Sequence, residues 1–142
     1  MAWWKFWEKR PRPGPDYYEE GAALVTQELY HDALTSFRLA LRERPDDPAT
    51  HEQMAVAYTH IGLHEEAIRA YEKALRLRPQ SPAAHYGLGF LLLKCGRTAE
   101  ASTHLKAFLS HARPGREEAR HLEHARRTLE RLGVAPGEAS AP

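Results

Sequence analysis

The sequence feature that most constrains the fold is a 34-residue repeat that runs through three successive blocks. When Gly14, Pro48 and Pro82 each take the first position of a block, the same kinds of residue recur at the same offsets. Small residues hold the eighth position, alanine the twentieth, and large apolar residues the eleventh and twenty-fourth. In block order these residues are Gly21, Ala55 and Gly89; Ala33, Ala67 and Ala101; Leu24, Tyr58 and Leu92; Phe37, Tyr71 and Leu105. A fixed period of this length is typical of stacked supersecondary units.

Local signals divide each block into two helices. The dipeptides at 47–48 and 81–82 place a capping side chain before a proline, which is favoured at the first helical position because its missing N–H costs nothing there. Gly62 and Gly96 lie where a helix should stop, and apolar residues at helical spacing follow each of them. The pattern predicts six helices, paired within each block.

On these residues, the stretch from about 14 to 115 resembles the tetratricopeptide repeat family. The middle block matches best and ends in the run AYEKALRLRP, whereas the third block has Phe108 where the others have alanine. The chain departs from the family pattern at Tyr17, His51 and His85, where the family prefers tryptophan, and at Glu28, where it prefers glycine. The resemblance implies an all-α fold, an α-solenoid of three helix-turn-helix repeats.

Beyond the third block, residues 116–132 predict a C-terminal solvating helix, which would cover the last apolar face of the stack. One face is apolar and carries Ala119, Leu122, Ala125, Leu129 and Leu132. We therefore expect a repeat domain over residues 16–132. The tail at residues 133–142, rich in Pro, Gly, Ala and Ser, is predicted to be disordered.

Composition narrows the functional classes. The formal net charge of the 142 residues is +1, which gives no global attraction to nucleic acid, and the arginines near the C-terminus alternate with glutamates. A single cysteine, Cys95, cannot form an internal disulfide, and no stretch approaches the roughly 20 apolar residues that span a bilayer. Charged residues interrupt the first ten positions, which argues against a secretory signal. A reducing, cytoplasmic setting is the default expectation.

The first ten residues form a second informative feature, because they contain every tryptophan of the chain. On a helix, Trp3, Trp4, Phe6 and Trp7 fall on one arc and the charged residues fall opposite. A helix this short is marginal alone in water, so we expect it to fold against another surface. Residues 11–15 are rich in proline and predict a stiff connector.

Three surfaces could receive this aromatic segment, and the sequence leaves them open. Tryptophan rings with basic neighbours suit an anionic membrane surface, which would make the chain a peripheral membrane protein. Apolar anchors at helical spacing also suit a cleft in a partner protein or a neighbouring subunit. The third possibility is that the segment covers this chain's own first repeat.

The resemblance also implies a concave groove lined by the first helix of each repeat. Its usual positions correspond to Tyr18, Ala22, Glu52, Gln53, Val56, His60, Tyr86, Phe90 and Lys94. Relatives that grip the C-terminal carboxylate of heat-shock chaperones use lysine, asparagine and arginine at five positions, where this chain has Tyr18, Ala22, Gln53, Ala83 and Gly87. The clamp is absent, so the resemblance implies a protein or peptide ligand recognised by apolar contacts, chiefly with Tyr18, Tyr86 and Phe90. The alternative is that some of these rings only pack the repeats together.

Nothing in the sequence predicts a cofactor, a metal site or catalysis. His51 and His85 occupy equivalent repeat positions and are interpreted as core residues, while His121 and His124 are expected on a solvated helix face. Cys95 is expected inside a helix as a packing residue, without a reactive motif around it. No phosphate-binding loop or nucleophile elbow is present.

The sequence therefore predicts a non-catalytic adaptor that binds a peptide or helix in its groove, with an aromatic N-terminus that attaches it to a membrane surface or a larger assembly. The alternative is a structural subunit of a complex whose N-terminal helix plugs into a neighbouring protein. The partner, the process and the oligomeric state are not predicted.

Overall fold

The computed structural model describes residues 16–113 and 115–134, and all regular secondary structure in that part is α-helical. We number its helices in chain order: α1 (Tyr17–Thr26), α2 (Tyr30–Glu43), α3 (Pro48–Ile61), α4 (His64–Leu77), α5 (Pro82–Lys94), α6 (Thr98–His111) and α7 (Arg116–Arg131). The predictions for residues 1–10 and 11–15, and for residues 135–142 of the tail predicted at 133–142, lie outside the described residues.

The helices pack in the order that the repeat predicts. The closest pairs are α1 with α2, α3 with α4, and α5 with α6, and α2 and α4 each also pack on the first helix of the next pair. Helix α7 packs against α6. The predicted all-α solenoid with a C-terminal solvating helix is therefore confirmed.

The first helix of each pair begins at a capped residue. The side chains of Asp16, Asp47 and Ser81 each accept a hydrogen bond from a backbone N–H of the first helical turn. Pro48 and Pro82 occupy the first helical position, as predicted. Each cap satisfies a donor that the helix itself leaves unpaired, which accounts for the sharp helix starts.

The turn inside each pair uses one residue in the left-handed region. Gly62 and Gly96 have φ of +94° and +79°, and Glu28, at the equivalent position of the first repeat, has φ of +61°. Glu28 is the one non-glycine residue with positive φ in the described part of the chain. The first repeat thus keeps the turn geometry without glycine, at the cost that a side chain incurs in this region.

The recurring small residues lie where two helices touch. A Cβ atom built on Gly21 would overlap the ring of Phe37, and one built on Gly89 would overlap the side chain of Leu105. In the first and third repeats the large residue at the twenty-fourth position thus fills the space above the glycine at the eighth. Interiors are close-packed, so these two sizes are selected together.

Helix α7 buries part of its predicted apolar face. Ala125 and Leu129 are fully buried in a cluster with Leu105 and Phe108 of α6. Ala119, which was expected on the same face, is exposed, and Leu122 is half-buried. The helix therefore shields the end of the core with its C-terminal turns.

The expectation for Cys95 is wrong. The residue is the C-cap of α5 rather than a residue inside the helix, and its side chain is exposed. The helix ends at Lys94, two residues before Gly96, whose positive φ turns the chain, and this places the thiol at the surface instead of in the core.

The equivalent histidines of two repeats make the same contact. Nε2 of His51 lies 3.2 Å from the carbonyl oxygen of Pro45, and Nε2 of His85 lies 2.8 Å from that of Pro79. A carbonyl oxygen only accepts, so Nε2 carries the proton in both rings. His85 is buried and His51 half-buried, so each ring tethers the incoming chain to the first helix of its repeat.

His85 also meets a second histidine. Its Nδ1 lies 3.0 Å from Nδ1 of His104 on α6. Because Nε2 of His85 holds the proton, Nδ1 of His85 accepts and Nδ1–H of His104 donates when both rings are neutral. Burial lowers the pKa of His85 and His104, and each pKa is lowered further by a neighbouring histidine, His111 for His85 and His85 for His104. The contact therefore favours the uncharged form of both rings.

Candidate partner-binding groove

A cavity of about 780 Å³ opens between α3 and α5, and we call it the α3–α5 groove. Helices α4, α6 and α7 also contribute to its walls. Its lining is mainly apolar and aromatic and comprises Val56, Thr59, His60, Tyr71, Pro82, Ala83, Tyr86, Gly87, Phe90, Leu91, Lys94, Phe108, Glu118 and His121. A concave, mostly apolar site with a few polar groups is the usual form of a binding pocket.

The residues predicted for the groove fall into two sets. Val56, His60, Tyr86, Phe90 and Lys94 line the α3–α5 groove together. The other four, Tyr18, Ala22, Glu52 and Gln53, do not line it. Of these, Tyr18 packs near Phe37, with ring centroids 6.1 Å apart, and the carboxylate of Glu52 accepts a hydrogen bond from the hydroxyl of Ser81.

The aromatic wall of the groove is built by three helices. The ring of Tyr86 lies 4.8 Å from that of Phe90 and 5.0 Å from that of Phe108, measured between centroids. From α7, the ring of His124 stacks on that of Phe90 with centroids 4.3 Å apart. The ring of His121 makes a T-shaped contact with that of Tyr86, with centroids 4.8 Å apart. The rings of Tyr86 and Phe90 are therefore half-buried by this chain's own C-terminal helix.

His121 and His124 contact the aromatic rings of the candidate groove, which the sequence interpretation missed. Both are exposed, as a solvated face requires, but their rings contact the groove, and Nδ1 of His124 lies 3.0 Å from the hydroxyl of Tyr86. The sequence offered one usable signal: each histidine directly precedes a residue of the predicted apolar face, His121 before Leu122 and His124 before Ala125. The solvent exposure expected for these two residues is observed, and the contacts with the groove rings are additional.

The floor of the groove explains one of the departures from the carboxylate clamp. A Cβ atom built on Gly87 would overlap the phenol hydroxyl of Tyr71, so no larger residue fits there in the present packing. Burial, and then the charge of Glu52, raise the pKa of Tyr71 to about 12. The tyrosine therefore stays a neutral phenol that occupies the space an arginine would need.

Beside the groove, the end of the stack near the start of α1 is acidic. Burial raises the pKa of Tyr18, and four carboxylates raise it further, those of Asp47, Glu19, Glu52 and Asp16. Glu52 also acts on Tyr71, so the negative field extends from α1 to the floor of the groove. At the opposite edge of the groove, Lys94 and His60 lie near the C-terminal ends of α5 and α3.

Residues 16–113 and 115–134 contain no group of three or more His, Cys, Asp or Glu side chains that could hold a metal ion. The same residues also include no helix with the length and apolar character needed to cross a membrane.

Comparison with known proteins supports the repeat architecture. Residues 61–96 match the family model described as TPR repeat. The Yersinia enterocolitica type III secretion chaperone SycD, in complex with a peptide of the translocator YopD, superimposes with a TM-score of 0.77 at 17% identity, over 87% of this chain and 97% of that one. A search of curated proteins finds no match.

Two more solved structures share the fold. The Sgt2 TPR domain from Aspergillus fumigatus has a TM-score of 0.70 at 24% identity, over 94% of this chain and 91% of that one. MamA from Desulfovibrio magneticus RS-1 has a TM-score of 0.65 at 26% identity, over 70% of this chain. The chain spans 57% of the length of that MamA structure.

Proposed function

Because the chain is a tetratricopeptide repeat protein, we propose that it is a non-catalytic adaptor that binds a peptide or helix of another protein in the α3–α5 groove. The observation that carries this proposal is the groove itself, an apolar cavity of about 780 Å³. Its aromatic rings and its open rim suit a side chain that projects from an extended or helical segment.

Apolar contact would supply the affinity. Burying one aromatic side chain of about 150–250 Å² at about 25 cal/mol per Å² gains on the order of 4–6 kcal/mol before the ordering cost is subtracted. Tyr86, Phe90 and Phe108 offer rings for such a side chain, and Val56 and Leu91 complete an apolar surface around them. One aromatic or large aliphatic anchor in this groove would dominate binding, as anchors do in other interfaces.

Polar groups around the groove would set the orientation of the ligand. Lys94 and His60 line one side, whereas Glu118 and the phenol of Tyr71 line others. The absence of the five clamp residues argues against a ligand held by its terminal carboxylate. The bound peptide in the SycD structure belongs to the translocator YopD, and for this chain the proposed partner is a peptide with apolar anchors.

For the aromatic segment at residues 1–10 we propose a second role, attachment of the adaptor to an anionic membrane surface. The composition of the segment supports this role, because Trp3, Trp4, Phe6 and Trp7 suit the bilayer interface and the basic residues suit anionic head groups. Alternatively, the same rings would bind in a groove on a neighbouring subunit.

The groove proposal is tested by substituting Ala83, which lines the groove and is exposed. Ala83→Arg should reduce capture of the protein's partner while leaving the helical content intact, because a long cation would fill the apolar space. Ala99→Arg is the matched control, since Ala99 is also the second residue of its helix and exposed but lies outside the groove. Equal capture by both variants would place binding elsewhere.

A further inference from the structure

The chain itself carries a segment whose chemistry matches the α3–α5 groove. The groove presents aromatic and aliphatic side chains, and the segment at residues 1–10 presents four aromatic rings on one helical arc. Those rings would be unfavourable in water, because each exposes apolar area that burial would remove.

The segment and the edge of the stack beside the groove carry opposite charges. Four carboxylates, those of Asp16, Glu19, Asp47 and Glu52, surround Tyr18 where the described chain begins. The residues that precede them are predominantly basic, with Lys5, Lys9, Arg10 and Arg12 against the single acid Glu8. Where the segment folds back over α1, these opposite charges can approach within the Debye length of about 8 Å at physiological ionic strength, and attraction then persists.

The length of the preceding chain is sufficient. Helix α1 packs on α3, and α3 packs on α5, so α5 lies about 16–20 Å from α1 at ordinary helix spacings. The connector at residues 11–15 would span about 16 Å as an extended proline-rich chain, and ten helical residues add about 15 Å. The aromatic rings can therefore reach the groove of the same molecule.

We propose that residues 1–10 occupy the α3–α5 groove of their own chain when no partner or membrane is bound. Trp3, Trp4, Phe6 and Trp7 pack against the rings of the groove, and the basic residues face the carboxylates around Tyr18. This inference rests on the proposed function, because it names the resting occupant of the same groove.

Occupancy by the chain's own segment has a mechanistic consequence. A partner peptide would have to displace the segment, so groove binding and release of the tryptophans would be coupled. A membrane that draws the segment away would open the groove in the same manner. Attachment and partner capture would then favour each other.

The test uses the tryptophan fluorescence of the full chain in dilute, lipid-free buffer. All three tryptophans lie in the segment, so their emission reports on it alone. We expect emission at shorter wavelength than that of a synthetic peptide of residues 1–12, with acrylamide quenching reduced several-fold. Ala83→Arg should restore peptide-like quenching, whereas Ala99→Arg should leave the protection of the full chain unchanged.

A second variant keeps the test independent of groove stability. Lys5→Glu with Lys9→Glu alters the segment only, and it should also raise the quenching towards that of the peptide. Quenching in the full chain equal to that of the peptide would overturn the proposal. Protection of the tryptophans from acrylamide that persists in both Ala83→Arg and the charge-reversal variant would also overturn the proposal, since the segment would then be buried at another surface.

Concentration separates the same molecule from a second copy. We expect protection to be independent of protein concentration, with a monomer in sedimentation velocity. Protection that disappears on dilution together with a dimer would overturn occupancy within one chain. Loss of partner capture in Ala83→Arg tests the adaptor function separately, because it is measured with no reference to tryptophan emission.

Discussion

The phenol hydroxyl of Tyr86 lies 3.0 Å from Nδ1 of His124, although the two residues are 38 positions apart in the chain. The same histidine ring stacks on Phe90 at a centroid distance of 4.3 Å. These contacts join the last repeat to the C-terminal helix, so α7 helps to form the groove wall as well as covering the core. A shift of α7 would change the shape of the groove.

A double-mutant cycle between these residues should give a coupling energy. We expect Tyr86→Phe and His124→Ala each to destabilise the fold, with an interaction term of about 0.5–1.5 kcal/mol, because either change removes the same hydrogen bond. Urea unfolding measures it. His31→Ala on the exposed side of α2 is the control partner and should combine additively with Tyr86→Phe. Additivity for His124 as well would contradict the contact.

Gly87→Ala should destabilise the protein, although glycine to alanine within a helix ordinarily stabilises it. The added Cβ would overlap the hydroxyl end of Tyr71, and overpacking of this kind costs about 1–3 kcal/mol. Thermal unfolding followed by circular dichroism measures the loss. Combining the change with Tyr71→Phe should recover part of it, whereas a raised melting temperature for Gly87→Ala alone would contradict the packing.

The free energy of unfolding should fall as the pH is lowered below 6.5, the ordinary pKa of histidine. The pKa of His85 and of His104 is lowered in the folded protein, so the unfolded chain binds more protons between the folded values and 6.5. The contribution is fully present above pH 6.5 and is lost as the pH falls through the folded values. His111, Glu72 and Glu100 also act on this pair, the carboxylates in the opposite direction.

Urea midpoints between about pH 7.5 and about pH 5 test this dependence. His104→Asn, which retains a donor but does not titrate, should flatten the profile. His31→Asn, a change at an exposed histidine, should keep the slope of the parent chain. A profile for the parent that is flat across this range would exclude the proposed histidine contact as a source of stability.

Flotation with liposomes tests the attachment role of residues 1–10. The full chain should float with anionic vesicles and much less with neutral ones, because both ring burial and charge contribute. Replacing Trp3, Trp4, Phe6 and Trp7 by alanine should abolish flotation. If the parent chain stays at the bottom of the gradient with both vesicle types, the membrane role is excluded and a protein receiver is indicated.

The repeat and its helix boundaries could be predicted because they depend on local chemistry. The caps at Asp47 and Ser81 and the turns at Gly62 and Gly96 are each specified by residues that are adjacent in sequence. The buried alanines Ala33, Ala67 and Ala101 follow from the period alone, since each block places the same size at the same helix contact.

The groove wall could be predicted only in part, because it depends on how α7 docks. Periodicity identifies an apolar face on α7 but does not specify how α7 is oriented against α5 and α6, so the contacts of His121 and His124 were missed. Glu28 shows the converse: the turn geometry of the fold overrides the residue's own preference. Tyr18 and Ala22 were assigned by position, and the cavity itself forms further along the stack.

Photo-crosslinking from position 83 is the most direct test of ligand binding in the α3–α5 groove. A photoreactive phenylalanine replaces Ala83 in the groove, or Ala99 as the matched exposed control, and the adducts formed in cell extract are mapped by mass spectrometry. We expect discrete adducts from position 83 that map to apolar segments of other proteins, and no such adducts from position 99. Adducts to other proteins that are equally abundant from both positions, or none from position 83, would contradict binding in the groove.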